Sequence, residues 1–389
     1  MVARLSLTAL RVAALSGLAV SSALYADYTS YSPSFCGSGT GCDAVRRSGF
    51  GYVVLPVGES GTALPVPLFG VVGFALLLGA SLLSKPRVRR LLTTLLAYGG
   101  GAIGVMLLGI QAFQIGQFCS LCVAADASAV VAASAVLSLG MKGWADLEAS
   151  PEWLPAWAWS VLGALLFVVP LVWPSYRPQA PVPAAIAAYY RPGKINVVEF
   201  ADFECPFCRA LHHRLGPLLS EYGDRVHFER LNMPLERHLY ARDAARAAVC
   251  AKYQGHEPEM ADHLFEADDL RANALERAAA DLGLDVAAYQ RCIDDPKTDA
   301  AIDEQARVLL EAGFEGLPTT YIGAERLVGA VPNEVLRDAL ERAQASGAAR
   351  GVSALSFFGA AGLVGFLVIA LGRWSVSPRR RAASRPAAT

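Results

Sequence analysis

Hydrophobic residues dominate positions 1–175 and 350–389 of this chain, whereas most of the charged residues lie between these two regions. A bilayer core of roughly 30 Å takes about twenty helical residues to cross. Six segments are long and apolar enough for this, and each is predicted to be a transmembrane helix. They are residues 7–26, 65–83, 91–110, 121–141, 155–173 and 354–372.

The first of these segments is interrupted by a charge. Arg11 lies inside it, and a cleaved signal peptide also combines basic residues with a short apolar stretch. No small-x-small cleavage site stands out after the segment, and the alternation of the spans across the membrane works better if it is retained. We therefore expect a membrane anchor, with a signal peptide as the alternative.

The charged region between the apolar ends has the pattern of a soluble domain. A strand is predicted at residues 195–200, leading directly into a helix that starts at a CxxC motif. Prolines between positions 174 and 183 indicate a stiff, extended linker before this domain. The other predicted elements are strands at 226–231, 316–322 and 326–329, a helical block at 239–312, and a closing helix at 332–345.

Charge adds an orientation to the membrane helices. The formal net charge of −1 gives no indication of nucleic-acid binding. Basic residues in short loops stay on the cytoplasmic side, and three basic clusters share one side if the spans alternate. The clusters are Arg4 with Arg11; Lys85, Arg87, Arg89 and Arg90; and Arg379, Arg380 and Arg381. The loop at 142–154 fits poorly, because it has Lys142 against Asp146, Glu148 and Glu152.

This topology places all eight cysteines on the outer side of the membrane or at its outer surface, where disulfides persist. Two CxxC motifs could supply four zinc ligands, but each has its own redox-type setting and they belong to different phases. No metal site is therefore expected. Neither motif continues to a histidine, which argues against covalently attached haem. The cysteines fall naturally into four pairs: Cys36 with Cys42, Cys119 with Cys122, Cys205 with Cys208, and Cys250 with Cys292.

The first two pairs lie close to the apolar segments. Three glycines between Cys36 and Cys42 make a flexible segment that could move one thiol away from the other, although a small structural disulfide is the alternative. Cys119 and Cys122 lie where the fourth span begins, and a helix N-terminus favours the thiolate. Asp126 follows on the same helical face, where it either passes protons during thiol oxidation or only favours the helix dipole.

Cys205 and Cys208 follow a strand and open a helix, which is typical of the thioredoxin fold. In that arrangement the first thiol attacks and the second resolves the mixed disulfide. Residues 185–345 resemble the DsbA-like branch of this family in the motif from Phe203 to Cys208, the helical block and Pro318, which matches the family's cis-proline. The resemblance implies a second disulfide between Cys250 and Cys292, with two buried free cysteines as the alternative.

Residues 5–140 resemble the vitamin K epoxide reductase family. The matching features are the loop pair Cys36 and Cys42, the run from Cys42 to Gly51, and the CxxC at the start of the fourth span. The resemblance implies a four-helix bundle that binds a quinone near the CxxC, and it implies that Cys42 meets the soluble domain while Cys36 passes electrons to Cys119. Animal members carry a tyrosine at the position of Asp126. The candidate quinone contacts are Ser48, Phe50, Gln117 and Asp126.

The predicted fold class is therefore a membrane all-α bundle with an α/β thioredoxin-like, DsbA-like domain outside the cytoplasm. The bundle consists of a four-helix domain like that of vitamin K epoxide reductases and two further transmembrane helices. The predicted boundaries are 1–145 for the four-helix domain, 153–175 for the fifth helix, 176–184 for the linker, 185–347 for the thioredoxin-like domain, 352–373 for the sixth helix and 374–389 for a basic cytoplasmic tail.

The predicted function is a thiol oxidase of the bacterial inner membrane that makes disulfides in reduced secreted or periplasmic proteins. Electrons would pass through Cys205/Cys208, Cys36/Cys42 and Cys119/Cys122 to ubiquinone or menaquinone. Two alternatives remain open from the sequence. One is a disulfide reductase or isomerase that carries electrons in the opposite direction, and the other is a tethered peptide-binding module or chaperone with a vestigial Cys205/Cys208 pair.

Overall fold

The described part of the chain consists of residues 2–31, 34–36, 41–55, 62–148, 152–178, 180–345 and 351–376 in a computed structural model. It divides into two compact units. The membrane unit contains the described residues up to Pro178 and from Gly351 onwards, and the soluble unit is the segment between them.

Apolar helices account for most of the membrane unit. Among the described residues, five helices are long and apolar enough to cross a membrane, so this is a multi-pass membrane protein. A sixth apolar helix, α3, has only 16 residues, which is about 24 Å at 1.5 Å per residue. The second predicted span is therefore shorter than expected. The helices are α1 (Val2–Thr29), α3 (Val66–Ser81), α4 (Pro86–Ile110), α5 (Ser120–Glu148), α6 (Ala156–Tyr176) and α15 (Ala354–Ser375).

Helix α1 lies at the centre of this unit. Leu10 and Ala14 are fully buried, and they pack in one apolar core with side chains of α3, α5 and α6. Gly17 lies so close to the ring of Phe74 on α3 that a Cβ at position 17 would be 2.3 Å from it. Because the neighbouring helices pack around α1, the structure supports an anchor rather than a cleaved signal peptide.

The charge inside the first span has partners within the unit. The Arg11 guanidinium donates to both carboxylate oxygens of Glu152 at 2.9 and 3.2 Å, and also to the backbone oxygen of Ser81 at 2.8 Å. Arg89 lies 3.6 Å from Glu152. The acidic loop that fitted the charge rule poorly therefore contributes a carboxylate that pairs with two basic residues.

Short elements cover the end of α1 where the loop cysteines lie. Helix α2 (Gly41–Arg47) carries Cys42, and strands β1 (Tyr52–Leu55) and β2 (Thr62–Pro65) pair antiparallel after it. The sequence analysis did not predict this hairpin. After α4, residues Gln111–Ile115 form a π-helical turn before the chain reaches Cys119.

The last two membrane helices pack against each other. The ring of Trp173 on α6 lies 5.0 Å from those of Phe357 and Phe358 on α15. Val352 donates its backbone N–H to the oxygen of Tyr176 at 2.8 Å, so the two chain ends that lead to the soluble unit meet. Helix α6 continues through Pro174, which the sequence pattern had placed in the linker.

The soluble unit is built on a four-stranded sheet with the order β4-β3-β5-β6. Strands β3 and β4 are parallel, whereas β5 pairs antiparallel with both β3 and β6. The predicted α/β architecture is confirmed. The strands are β3 (Ile195–Ala201), β4 (Val226–Asn232), β5 (Thr319–Ile322) and β6 (Glu325–Val328).

Helices cover both faces of this sheet. Alternate residues of β3 enter different cores: Val197 packs with α8 and α14, whereas Val198 and Phe200 pack with the helical insert. The helices are α7 (Ala184–Ala187), α8 (Pro206–Tyr222), α9 (Ala241–Tyr253), α10 (Glu257–Glu266), α11 (Ala272–Asp281), α12 (Val286–Ile293), α13 (Pro296–Glu311) and α14 (Asn333–Ala345).

We predict that Arg11→Ala destabilises the membrane unit by about 2 kcal/mol, because it leaves the partly buried Glu152 carboxylate without its closest partner. The measurement is thermal unfolding of the purified protein in detergent. Arg4→Ala is the matched control, since Arg4 is exposed on the same helix. Equal unfolding temperatures for the two variants would contradict the structural role of Arg11.

Candidate functional site

Three of the four cysteines of the membrane unit lie in direct sulfur contact. Cys119 and Cys122 form a disulfide, and the thiol of Cys42 lies 3.1 Å from the Cys119 sulfur. Cys119 is fully buried and Cys42 nearly so. The thiol that faces the disulfide is therefore Cys42, whereas the family resemblance had led us to expect Cys36 in that place. This is the geometry in which a thiol can exchange with a disulfide.

A glycine makes this contact possible. A Cβ on Gly41 would lie 2.1 Å from the backbone oxygen of Phe118, the residue before Cys119. Any larger residue at position 41 would push the first turn of α2 away from the start of α5. Gly41 is thus a positioning residue for the Cys42 thiol.

The other loop cysteine is held by a carboxylate at the end of α1. The Asp27 carboxylate is buried and accepts the backbone N–H groups of Ser34, Phe35 and Cys36 at 2.7, 2.9 and 2.6 Å. A hydrogen bond with Cys42, burial and the nearby Asp27 charge together raise the pKa of the Cys36 thiol. Cys36 is therefore a protonated thiol in this arrangement. Asp27 was not singled out by sequence.

A buried amide connects the CxxC to Asp126. Gln111 accepts the backbone N–H of Cys119 at 3.0 Å and donates to the Asp126 carboxylate at 3.2 Å. The Cys119 sulfur in turn accepts the N–H of Cys122 at 3.1 Å, as an N-cap side chain does. Gln111 therefore fixes both the first cysteine and the carboxylate on the next turn of α5.

A mostly apolar cavity of about 380 Å³ opens beside this disulfide. Cys122 and Asp126 line it from the same face of α5, and Gln111 lines it from the end of α4. Gly104 lets α4 approach α5 here, because its Cβ would lie 2.9 Å from the Asp126 backbone oxygen. The cavity has the size and composition of a site for a mostly apolar ligand with a small polar group.

The four residues expected to contact a quinone divide into two groups. Phe50 and Asp126 line the cavity, but neither Ser48 nor Gln117 is among its described lining residues. Ser48 instead donates to the backbone oxygen of Val45 at 2.7 Å, and Gln117 is exposed. The glutamine at the cavity is Gln111. Within the described ranges no group of three or more His, Cys, Asp or Glu side chains is arranged to hold a metal ion.

The second CxxC lies in the soluble unit, where Cys205 is the N-cap residue of α8. Hydrogen bonds from the Cys208 thiol and from the backbone N–H groups of Phe207 and Cys208 outweigh burial and lower the pKa of Cys205 to about 6. Burial, together with the neighbouring Cys205, raises the pKa of Cys208. Both thiols are buried, and the pair combines an ionised Cys205 with a protonated Cys208.

Beneath Cys208 lies a buried ion pair. Glu199 of β3 is fully buried and accepts from Arg230 of β4 at 2.9 Å, its direct neighbour across the sheet. The other Glu199 oxygen has no hydrogen-bond partner among the described residues. The Glu199 charge contributes to the raised pKa of Cys208. A buried carboxylate with a free lone pair could accept the proton of the resolving thiol.

Two further predicted residues lie in the same unit. The peptide bond between Leu317 and Pro318 is cis, at the entry to β5. Cys250 of α9 and Cys292 of α12 are joined in a disulfide. Both features belong to the soluble unit, which also carries Cys205 and Cys208, whereas Cys36, Cys42, Cys119 and Cys122 belong to the membrane unit.

Comparison with known families agrees with this division. The model of the vitamin K epoxide reductase family matches residues 8–139, and the thioredoxin model matches residues 193–342. The chain joins a vitamin K epoxide reductase domain to a thioredoxin domain. Both domain assignments agree with the resemblances that the sequence analysis stated.

Solved structures similar to the thioredoxin domain include a thioredoxin-like oxidoreductase from Silicibacter pomeroyi, which is 27% identical with a TM-score of 0.37, covering 43% of this chain and 94% of that one. A probable DsbA oxidoreductase from Streptomyces coelicolor is 19% identical with a TM-score of 0.36, covering 40% of this chain and 92% of that one.

The curated relatives are Na(+)/H(+) antiporters. NhaA 3 of Salinispora tropica is 34% identical over 158 residues, which is 40% of this chain and 24% of the antiporter. NhaA 1 of Mycolicibacterium gilvum is 30% identical over 136 residues, which is 34% of this chain and 22% of the antiporter. The chain thus spans about a quarter of the length of the curated relatives it matches.

We predict that Cys122→Ser accumulates a disulfide between Cys42 and Cys119, because the Cys119 thiol lies beside Cys42, attacks it in the Cys36–Cys42 disulfide and releases the Cys36 thiol. Adding Gly41→Ala should reduce this species at least severalfold, since the new Cβ displaces α2. The measurement is mass spectrometry of non-reduced peptides. Gly49→Ala is the matched control, because a Cβ there meets nothing within 4 Å. A bridge between Cys36 and Cys119 instead would refute the order found here.

We predict that alkylation of Cys205 in the reduced protein follows a pKa of about 6, so that most of this thiol is ionised at pH 7. Cys208 should remain unlabelled in the folded protein, because it is buried and its pKa is raised. The measurement is the rate of iodoacetamide labelling between pH 4 and 9, read by peptide mass spectrometry. After denaturation both thiols should titrate near the ordinary thiol value of about 8.5. A native Cys205 profile centred above pH 8 would contradict the N-cap geometry.

Proposed function

We propose that this chain is a quinone-linked thiol oxidase that makes disulfide bonds in exported proteins. The observation that carries the proposal is the contact between Cys42 and Cys119, beside a cavity lined by Cys122. The loop thiol Cys42 contacts the Cys119–Cys122 disulfide, and that disulfide borders the cavity that could hold an apolar oxidant.

The proposed path begins with a reduced protein substrate. Its dithiol reduces the Cys205–Cys208 disulfide, and that pair reduces the Cys36–Cys42 disulfide of the loop. Cys42 then attacks Cys119 and releases the Cys122 thiolate, and Cys36 attacks Cys42, which re-forms the Cys36–Cys42 disulfide and releases Cys119. The dithiol of Cys119 and Cys122 is then reoxidised at the cavity. Each exchange moves two electrons and two protons, so one substrate disulfide is formed for each quinone reduced to the quinol. Cys36 becomes the loop thiol that meets the thioredoxin domain.

The cavity suits a quinone in several respects. Its wall is largely apolar, as a lipid-soluble ring and tail require, and its polar groups include Cys122, Asp126 and Gln111. When bound, a quinone would accept two electrons and two protons. Cys122 lies in the wall and would deliver the electrons, while Gln111 holds Asp126 in place as a hydrogen-bonding partner for a ring oxygen. Ubiquinone and menaquinone both have this chemistry.

The lowered pKa of Cys205 favours oxidation of substrates over their reduction. A stabilised thiolate makes the reduced form more favourable, so the corresponding disulfide is a stronger oxidant. A less stabilised thiolate would favour a reductase that carries electrons outward. This observation makes the oxidase the better proposal.

The distribution of charge in the membrane unit supports an extracytoplasmic thioredoxin domain. Arg11, Arg89 and Glu152 cluster near the start of α1, whereas Asp27 and the four cysteines of this unit lie near its other end. The 16 residues between Arg11 and Asp27 span roughly 24 Å of helix. With the basic end in the cytoplasm, the thiols face the compartment in which disulfides persist.

The decisive experiment mixes the purified protein with a reduced dithiol peptide and an oxidised quinone, and follows quinone absorbance and peptide thiols together. The parent protein should consume two peptide thiols for each quinone, and Cys119→Ala should reduce quinone consumption by at least a hundredfold. Cys205→Ser should abolish peptide oxidation. If Cys119→Ala consumes quinone as fast as the parent, the proposal is wrong. If Cys205→Ser leaves peptide oxidation unimpaired, the thioredoxin domain is not the substrate-facing site.

A further inference from the structure

A buried carboxylate lies in the turn just before the active-site cysteines of the thioredoxin domain. The Asp202 side chain is fully buried, and its backbone oxygen accepts the N–H of Cys205 at 3.1 Å. Oδ1 accepts the N–H of Glu204 at 2.8 Å. Oδ2 accepts the N–H of Leu235 and meets the His238 ring nitrogen Nδ1, each at 2.8 Å.

His238 is the only side chain among these hydrogen-bond partners of the Asp202 carboxylate within the described residues. Because a carboxylate only accepts, Nδ1 is the protonated ring nitrogen. The ring is largely enclosed, with 17% of the side chain exposed. A buried negative charge is costly unless a hydrogen-bond donor or a positive charge lies beside it. The neutral His238 ring supplies the donor, and the protonated ring supplies both the donor and the charge.

A second carboxylate ties the same segment to the same turn. Glu204, the residue before Cys205, accepts the backbone N–H of Tyr240 at 2.6 Å. The segment from Leu235 to Tyr240, which leads into the helical insert, is therefore bound to the active-site turn at both Asp202 and Glu204. This fixes His238 relative to Cys205.

The position of Asp202 matters for the chemistry of Cys205. The titratable or charged groups that act on the Cys205 thiol are Cys208, whose hydrogen bond lowers its pKa, and Asp202, whose charge raises it. An uncompensated Asp202 would thus destabilise the thiolate that makes the Cys205–Cys208 disulfide oxidising.

We propose that His238 is a positioning and charge-compensating residue that makes Cys205–Cys208 a stronger oxidant by neutralising the buried Asp202 carboxylate. The inference deepens the proposed function and rests on it for the direction of electron flow. The segment from Leu235 to Tyr240, which leads into the helical insert, thereby has a role in the redox site. His238 acts on Cys205 through Asp202, so it is not itself a catalytic residue.

The test measures the iodoacetamide labelling profile of Cys205 and its equilibrium with glutathione in the full-length reduced protein. His238→Gln should slow labelling at pH 6 by about three- to tenfold, because Asp202 then opposes the thiolate more strongly. The glutathione equilibrium should shift by a similar factor towards the protein disulfide. His213→Gln is the matched control, since His213 pairs with Glu266 at 3.4 Å elsewhere in the domain.

Two further variants separate charge compensation from a purely structural role. Asp202→Asn should shift the profile in the opposite direction, towards more thiolate at pH 6, because the opposing charge is gone. The double variant Asp202→Asn with His238→Gln should return to within about twofold of the parent, as expected for coupled residues. A loss of thermal stability with an unchanged Cys205 profile would overturn the inference, and so would a double variant as impaired as His238→Gln alone.

These readouts are independent of the quinone assay. A shifted Cys205 profile in a protein that fails to consume quinone would support the inference while the proposed function fails. An unshifted profile in a protein that does consume quinone would overturn the inference and leave the proposed function standing.

Discussion

The membrane site depends on one close approach between two segments of backbone, at Gly41 and Phe118. Only where a Cβ is missing can α2 come near enough for the Cys42 sulfur to touch that of Cys119. The buried amide of Gln111 holds the same end of α5 from the opposite side, and Asp27 holds the loop that carries Cys36. Backbone contacts, rather than the cysteines themselves, thus determine which thiol faces which.

The two CxxC pairs are alike in local geometry and different in surroundings. In each, the first cysteine precedes a helix and its sulfur is positioned by N–H groups of the first turn. Cys205 opens a helix in a soluble domain, where hydrogen bonds lower the pKa of its thiol. Cys122 faces a mostly apolar cavity within a membrane bundle. The same local motif therefore suits a water-soluble partner in one domain and an apolar partner in the other.

Much of the fold was predictable from local sequence signals. Apolar segments of sufficient length gave the membrane helices, and the strand, CxxC and cis-proline pattern gave the thioredoxin fold, because both signals lie in short stretches of chain. The contacts that decide the site join residues far apart in sequence. Gln111, at the start of the π-helical turn, accepts the backbone N–H of Cys119, whereas Gln117, nearer in sequence, is exposed. Likewise, Gly41 is distinguished from the nearby glycines only by what it packs against.

The resemblance to a family carried the identities of the cysteines, and the structure adds which sulfurs lie in contact. Analogy placed Cys36 beside Cys119, whereas α2 brings Cys42 there. The difference has a physical origin, because the loop is held at Asp27 on one side of Cys36 and at the Gly41 contact beside Cys42.

The hydrogen bond between Val352 and Tyr176 brings together the two chain ends that lead to the thioredoxin domain. A domain held by both termini at neighbouring points cannot diffuse away, so its encounter with the loop thiols is intramolecular. Short tethers of this kind give effective concentrations of roughly millimolar. In the proposed path, the exchange between the two domains then needs no binding affinity of its own, and the surface around Cys205 can be shaped by the protein substrate.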